Sequence, residues 1–142
     1  MSFNVLVCDD DQFTLVMYKN IFSKSNSIKL DPNLQGKEAV AGVKSKYETA
    51  QQHDVALIDM RMPPGIDGLE TAIELRKINP TLPIAFISGY SDNIADKITT
   101  AIKGPTLWFS KPFKSAEIYQ AVYECCLSKQ WGDTPIRLYG VL

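Results

Sequence analysis

Hydrophobic positions along the chain fall into two alternating rhythms. Short, nearly continuous apolar runs occur at Phe3–Cys8 ("FNVLVC"), Val55–Ile58 ("VALI"), Pro83–Ile87 ("PIAFI") and Leu107–Phe109 ("LWF"), with a weaker one at Ser27–Leu30 ("SIKL"). Runs of this kind, without strict alternation, suit strands covered on both faces, as in a parallel sheet. Between them the apolar residues recur with helical spacing: Ala39, Val40, Val43 and Tyr47; Leu69, Ala72 and Ile73; Ile94, Ile98, Ala101 and Ile102; Ile118, Ala121, Val122 and Cys125. A further helix is expected from about Gln12 to Lys24. Asp11 and Ser91 are candidate N-caps, Asp67 and Glu70 have capping-box spacing, and Pro80 and Gly104-Pro105 act as stops. Strand then helix, five times over, predicts an α/β fold: a doubly wound, five-stranded parallel sheet flanked by five helices.

The pattern covers residues 1–130 as one domain and stops there, leaving "WGDTPIRLYGVL" at 131–142 as a tail or linker. Trp131, Ile136, Leu138, Tyr139, Val141 and Leu142 make this tail too apolar for an ideal linker. Packing on its own domain or contact with a partner is favoured over the start of a missing domain. No effector domain is visible, and the chain reads either as stand-alone or as part of a larger regulator.

Composition narrows the class. With 142 residues, 45% hydrophobic and 22% charged, the chain suits one globular domain. A formal net charge of −1 and scattered basic residues predict no direct nucleic-acid binding. No apolar stretch approaches a membrane span and no secretory leader pattern opens the chain, so a cytoplasmic protein without a membrane contact is expected. Cys8, Cys125 and Cys126 show no C-x-x-C spacing and read as small buried or half-buried thiols. His53, the lone histidine, precedes the third strand and reads as a surface loop residue; Glu70, Glu74 and Lys77 read as a solvated helix face.

The polar residues where strands stop carry the chemistry. The first strand ends in Cys8-Asp9-Asp10-Asp11, the third in Asp59, the fourth in Ser88-Gly89 and the fifth leads to Lys111-Pro112. In an open parallel sheet all carboxyl ends lie along one edge, so Asp9, Asp10, Asp59, Ser88 and Lys111 should converge. Two carboxylates ~4 Å apart repel by ~4 kcal/mol at an effective dielectric of ~20, and one lysine cannot neutralise three acids. Either some acids are protonated or a divalent cation is held there. Oxygen donors without Cys or His suit Mg²⁺, with Asp10 and Asp59 as direct ligands and Asp9 directly or through water. Such a site suits phosphoryl chemistry. Asp59, alone at the centre, is the candidate nucleophile; Lys111 would offset charge on the phosphoryl oxygens and Ser88 would donate to them.

Taken together, "VLVCDD", "ALIDMRMP…DG", "FISGYS" and "GPTLWFSKPF", in this order, make residues 3 to about 129 resemble a response-regulator receiver domain of two-component signalling. The strand order 2-1-3-4-5 is taken from that resemblance, not from the pattern. The resemblance implies phosphorylation of Asp59 by a sensor histidine kinase or a histidine phosphotransfer protein. Mg²⁺ would be carried by Asp9, Asp10, Asp59 and the carbonyl of Arg61. Ser88 and Lys111 would contact the phosphoryl group. Trp108, three residues before the lysine, would be the switch aromatic, its turning coupled to Ser88 and changing a face read by a downstream protein partner. Read on its own, Trp108 is equally a plain half-buried aromatic. The resemblance also implies a cis Lys111-Pro112 peptide and a domain that catalyses only its own phosphorylation and dephosphorylation; a homodimer is compatible with it.

Three features depart from the family pattern. "MPPGIDG" carries one extra residue, Trp108 replaces the commoner Tyr or Phe, and bulky Arg61 and Tyr90 stand where receivers tune loss of the phosphoryl group. The rival reading is a Mg²⁺-dependent aspartyl-phosphate phosphatase or phosphotransferase of the haloacid-dehalogenase kind. It expects Asp-x-Asp after the first strand, and the adjacent pair Asp9-Asp10 disagrees. An unphosphorylated scaffold is a third reading, disfavoured by the intact acidic set.

Overall fold

The computed structural model describes residues 2–62, 65–88 and 101–127 and the backbone of 137–139. The strands are β1 (Phe3–Cys8), β2 (Ile28–Asn33), β3 (Val55–Asp59), β4 (Ile84–Ser88), β5 (Thr106–Ser110) and β6 (Arg137–Tyr139). The helices among the described residues are α1 (Gln12–Phe22), α2 (Gly36–Lys46), α3 (Gly68–Ile78) and α4 (Ser115–Leu127). The helix expected around Ile94 and Ile98, with its cap at Ser91, lies outside the described residues, as do Gly89 and Tyr90. No described helix is long and apolar enough to cross a membrane.

All strand pairs are parallel and the sheet order is β2-β1-β3-β4-β5-β6. The first five strands stand in the order the family resemblance implied. The sixth corrects the expected strand count: part of the tail is a strand, with Leu107, Trp108 and Phe109 opposite Arg137, Leu138 and Tyr139. At the other edge β2 runs past Leu30 through Asp31 and Pro32 to Asn33. An edge strand tolerates proline because one side of its backbone needs no ladder bond.

Successive side chains of the inner strands point to opposite faces, and both faces are apolar. Val5, Val7, Val55, Leu57, Leu107 and Phe109 pack with Tyr18 and Phe22 of α1 and Ile118, Ala121 and Val122 of α4. Leu6, Cys8, Ala56, Ile58, Phe86 and Trp108 pack with Ala39 and Val43 of α2 and Ala72 and Leu75 of α3. This two-sided burial explains why the strands read as continuous apolar runs. All three thiols are buried.

Helix starts follow the caps. The Asp11 carboxylate accepts from Phe13 N at 3.0 Å, and that of Asp67 from Glu70 N at 2.8 Å. The end of α3 is pinned by Arg76, whose Nη atoms donate to the carbonyls of Pro80 (3.0 Å), Leu82 (2.5 Å) and Pro105 (3.1 Å). Gly104 beside it has φ +93°, and a Cβ there would lie 2.9 Å from the Pro80 carbonyl oxygen. Only glycine suits both demands. Glu74 and Lys77 form an exposed pair at 3.0 Å, as a solvated face should.

His53 is not the surface residue expected. It is buried, and its Nε2 lies 2.7 Å from Asp31 Oδ2 on β2. The pair joins the loop before β3 to the edge strand, and the imidazole holds the Asp31 carboxyl below its ordinary pKa, with Lys46 at 3.4 Å adding to the effect.

Candidate functional site

The parallel ladder decides which side chains meet. Cys8 is level with Ile58, so Asp9 and Asp59, one step on, are level too; Asp59 stands opposite Ile87, and Ser88 opposite Ser110. Backbone bonds continue past the strand ends: Asp9 N to Asn33 O at 3.0 Å, Met60 N to Ile87 O at 3.1 Å and Lys111 N to Ser88 O at 2.7 Å. The polar residues are therefore held by the sheet itself rather than by free loops.

The structure brings the predicted acids together. One carboxylate oxygen from each of Asp9, Asp10 and Asp59 lies within 4.8 Å of the others. Lys111 Nζ reaches Asp59 Oδ1 at 3.3 Å. Asp9 and Asp59 are buried, while the Lys111 side chain keeps 40% of its surface exposed. Burial pushes the Asp9 carboxyl up to about 6; the Asp11 amide, donating to Asp9 Oδ1 at 2.9 Å, pulls it down, and the nearby Asp59 carboxylate raises it further. Burial likewise raises Asp59, against the pull of Lys111 and of the Arg61 backbone amide, which hydrogen-bonds its carboxylate. Asp9 Oδ2 is buried with no hydrogen-bond partner among the described residues.

These features fit a hard divalent cation. The donors are all oxygen, three acids face one lysine, and one buried lone-pair site is left open. Arg61 stands beside Asp59, where its backbone is available to the same site. Ser88, buried at the end of β4, completes the rim. Lys111-Pro112 is cis, as the resemblance implied.

Trp108 departs from the half-buried aromatic expected of a plain reading. Its exposure is 1%, it packs on the α2 and α3 side of the sheet, and its buried indole N–H has no partner among the described residues. Of the one-residue insertion in "MPPGIDG", Pro63 and Pro64 lie outside the described residues; Gly65 N bonds Met62 O at 3.1 Å to close the turn.

Two contributors were not singled out from the sequence. A Cβ on Gly68 would collide with the carbonyl oxygen of Asp59 and lie 2.8 Å from Met60 Cα, so α3 starts against the backbone of the central acid only because residue 68 is glycine. The signal was the Asp-Gly pair at a helix start. Beneath the acids, the Cys8 thiol lies 3.2 Å from Met62 Sδ. Burial and the surrounding carboxylates push it up to about 12, so it forms an inert floor.

The family model of the response regulator receiver domain matches residues 5–123. The chain belongs to this family. The chemotaxis protein CheY of Thermotoga maritima is 28% identical over 123 residues, 86% of this chain and 96% of that protein. The osmosensing histidine protein kinase SLN1 of Saccharomyces cerevisiae is 24% identical over 91% of this chain but only 10% of its own length. The chain likewise spans only 28% of nodulation protein W of Bradyrhizobium diazoefficiens, at 39% identity over 67 residues. Among solved structures, a CheY-like receiver domain protein of Methanospirillum hungatei superposes with a TM-score of 0.74 at 17% identity, over 92% of this chain and 98% of that one. A CheX-CheY-BeF3-Mg complex from Borrelia burgdorferi gives 0.73 at 25%, over 86% and 87%. The receiver fold is thus common to single-domain relatives and to small parts of much longer regulators.

Proposed function

We propose that this receiver domain is a phosphorylation-driven signalling switch in which Asp59 is the phosphoacceptor. The observation that carries the reading is Asp59 itself: buried at the end of β3, 3.3 Å from Lys111 Nζ and clustered with Asp9 and Asp10. A phosphoryl donor approaching this edge meets Asp59 as the acceptor. One carboxylate oxygen forms a bond to phosphorus as the bond to the donor, the P–N bond of a phosphohistidine, breaks; the nitrogen takes up the electron pair and becomes neutral imidazole. The product is an acyl phosphate on Asp59. Lys111 would pair with the phosphoryl oxygens, and the Ser88 hydroxyl would donate to them. Asp9, Asp10 and Asp59, with the Arg61 carbonyl, would hold Mg²⁺, which when bound supplies positive charge against the phosphoryl oxygens.

The donor class follows from the same reading: a sensor histidine kinase or a histidine phosphotransfer protein in the cytoplasm. Output is a changed surface for a downstream protein. The added charge of roughly −1.5 to −2 draws Ser88 toward the phosphoryl oxygens, and Trp108 responds at the neighbouring strand. Residues 1–130 are the signalling unit, and its own phosphorylation and dephosphorylation are its only chemistry.

The test is incubation with Mg²⁺ and acetyl phosphate, followed by intact mass and hydroxylamine treatment. A single adduct, cleaved by hydroxylamine and missing in Asp59→Ala, is the expected result. An adduct that persists in Asp59→Ala, or multiple turnover of unrelated phosphoesters, would overturn the assignment.

A further inference from the structure

The two edges of the sheet are built differently. β2, at one edge, carries Lys29, Asp31 and Pro32 within "IKLDPN", the charges and proline that discourage another strand from adding. β5, next to the other edge, reads "TLWFS", with no charge and no proline, and all five residues are buried. A strand of that composition needs a cover. Its cover is β6, a three-residue parallel strand from the C-terminal tail.

Handedness makes that cover unusual. The step from β1 to β2 goes outward past α1, which packs on one face; the steps from β2 to β3 and from β3 to β4 go the opposite way past α2 and α3, on the other face. These share one hand, the right-handed sense found in about 98% of parallel crossovers. The step from β5 to β6 runs in the same direction as β3 to β4, yet its helix, α4, packs on the α1 face. Closed within one chain, this crossover is left-handed. Exchange between two chains keeps every β5–β6 pairing and removes the handed connection, the usual low-cost route to a swapped dimer. From Leu127 to Arg137, at roughly 3.3–3.6 Å per residue, the chain can reach a neighbouring copy.

We infer that the β5 edge is a strand-accepting site occupied by residues 137–139 of a second copy, so that two chains exchange C-terminal strands. The inference is independent of the phosphoacceptor assignment. In each copy the partner's strand lies along Leu107–Phe109, two residues before Lys111, so the interface is continuous with the strand that leads into the lysine.

The test uses the full 142-residue chain. Sedimentation velocity across a concentration series should show a reversible dimer. Leu138→Pro, which fixes φ and removes a backbone N–H at the middle of β6, should weaken dimerisation by about tenfold or more while leaving the far-UV circular dichroism unchanged. In a mixture of ¹⁵N-labelled and ¹³C-labelled chains, isotope-filtered spectra should show contacts between Trp108 of one copy and Leu138 of the other. A monomer at all concentrations, a dimer indifferent to Leu138→Pro, or Trp108–Leu138 contacts found only within one chain would each overturn the inference.

Discussion

At the amino end of the sheet, the half-buried guanidinium of Arg76 spends its Nη donors on three carbonyls, and Asn4 N donates to the Asp54 carboxylate at 2.8 Å. At the carboxyl end, oxygens of three carboxylates lie within 4.8 Å of one another, Lys111 bonds to one of them, and a buried oxygen of Asp9 finds no partner among the described residues. One end sets a single cation among carbonyl oxygens, its Nε left without a partner among the described residues, whereas the other gathers like charges. The first arrangement fastens α3, β4 and β5 together. The second leaves a surplus of negative charge of the kind a hard cation would offset.

The largest break in this contrast is Arg76→Ala. It opens three carbonyls and removes charge-assisted hydrogen bonds, and should lower stability by about 3 kcal/mol in urea unfolding, with no loss of phosphorylation in the folded fraction. Removing a carboxylate from the other end should do the opposite. Asp59→Asn removes a carboxylate whose charged form is disfavoured by burial and by the neighbouring acid, and should stabilise the cation-free protein in urea unfolding while abolishing the adduct. Mg²⁺ should stabilise the native chain more than this variant in thermal melts.

The smallest effect is the sign of the pH dependence. Asp9 titrates near 6 in the folded chain against an ordinary 3.8, so the folded state holds its proton longer. Its stabilising contribution is complete below the unfolded value and is lost as pH rises from about 4 through 6. Asp31, held below its ordinary value by His53, behaves in the reverse sense: its contribution is present above about 4 and lost as pH falls through the folded value. Unfolding followed from pH 3 to 8 in chelator should show the high-side loss reduced in Asp9→Asn and the low-side loss reduced in Asp31→Asn.

Much of this was legible in the chain because the strands are covered on both faces and end in polar residues. Asp59, Ser88 and Lys111 stand where an apolar run stops, and parallel geometry alone gathers such positions. Asp11 and Asp67 announced their helices by local bonding. What escaped depended on distant partners or on very short elements. His53 looked like a loop residue because Asp31, which lets it be buried, is 22 positions away on another strand. β6 is three residues long, too short for any period to emerge. The depth of Trp108 depends on the core cluster it shares with Phe86 and Leu75, residues distant in sequence, which no local pattern conveys.

The glycine at position 68 has one last consequence. Because α3 begins in contact with the backbone of Asp59 and ends in the guanidinium bonds of Arg76, this helix is moored at both ends like a beam between two walls. A rearrangement begun at the central acid meets stiffness in that direction.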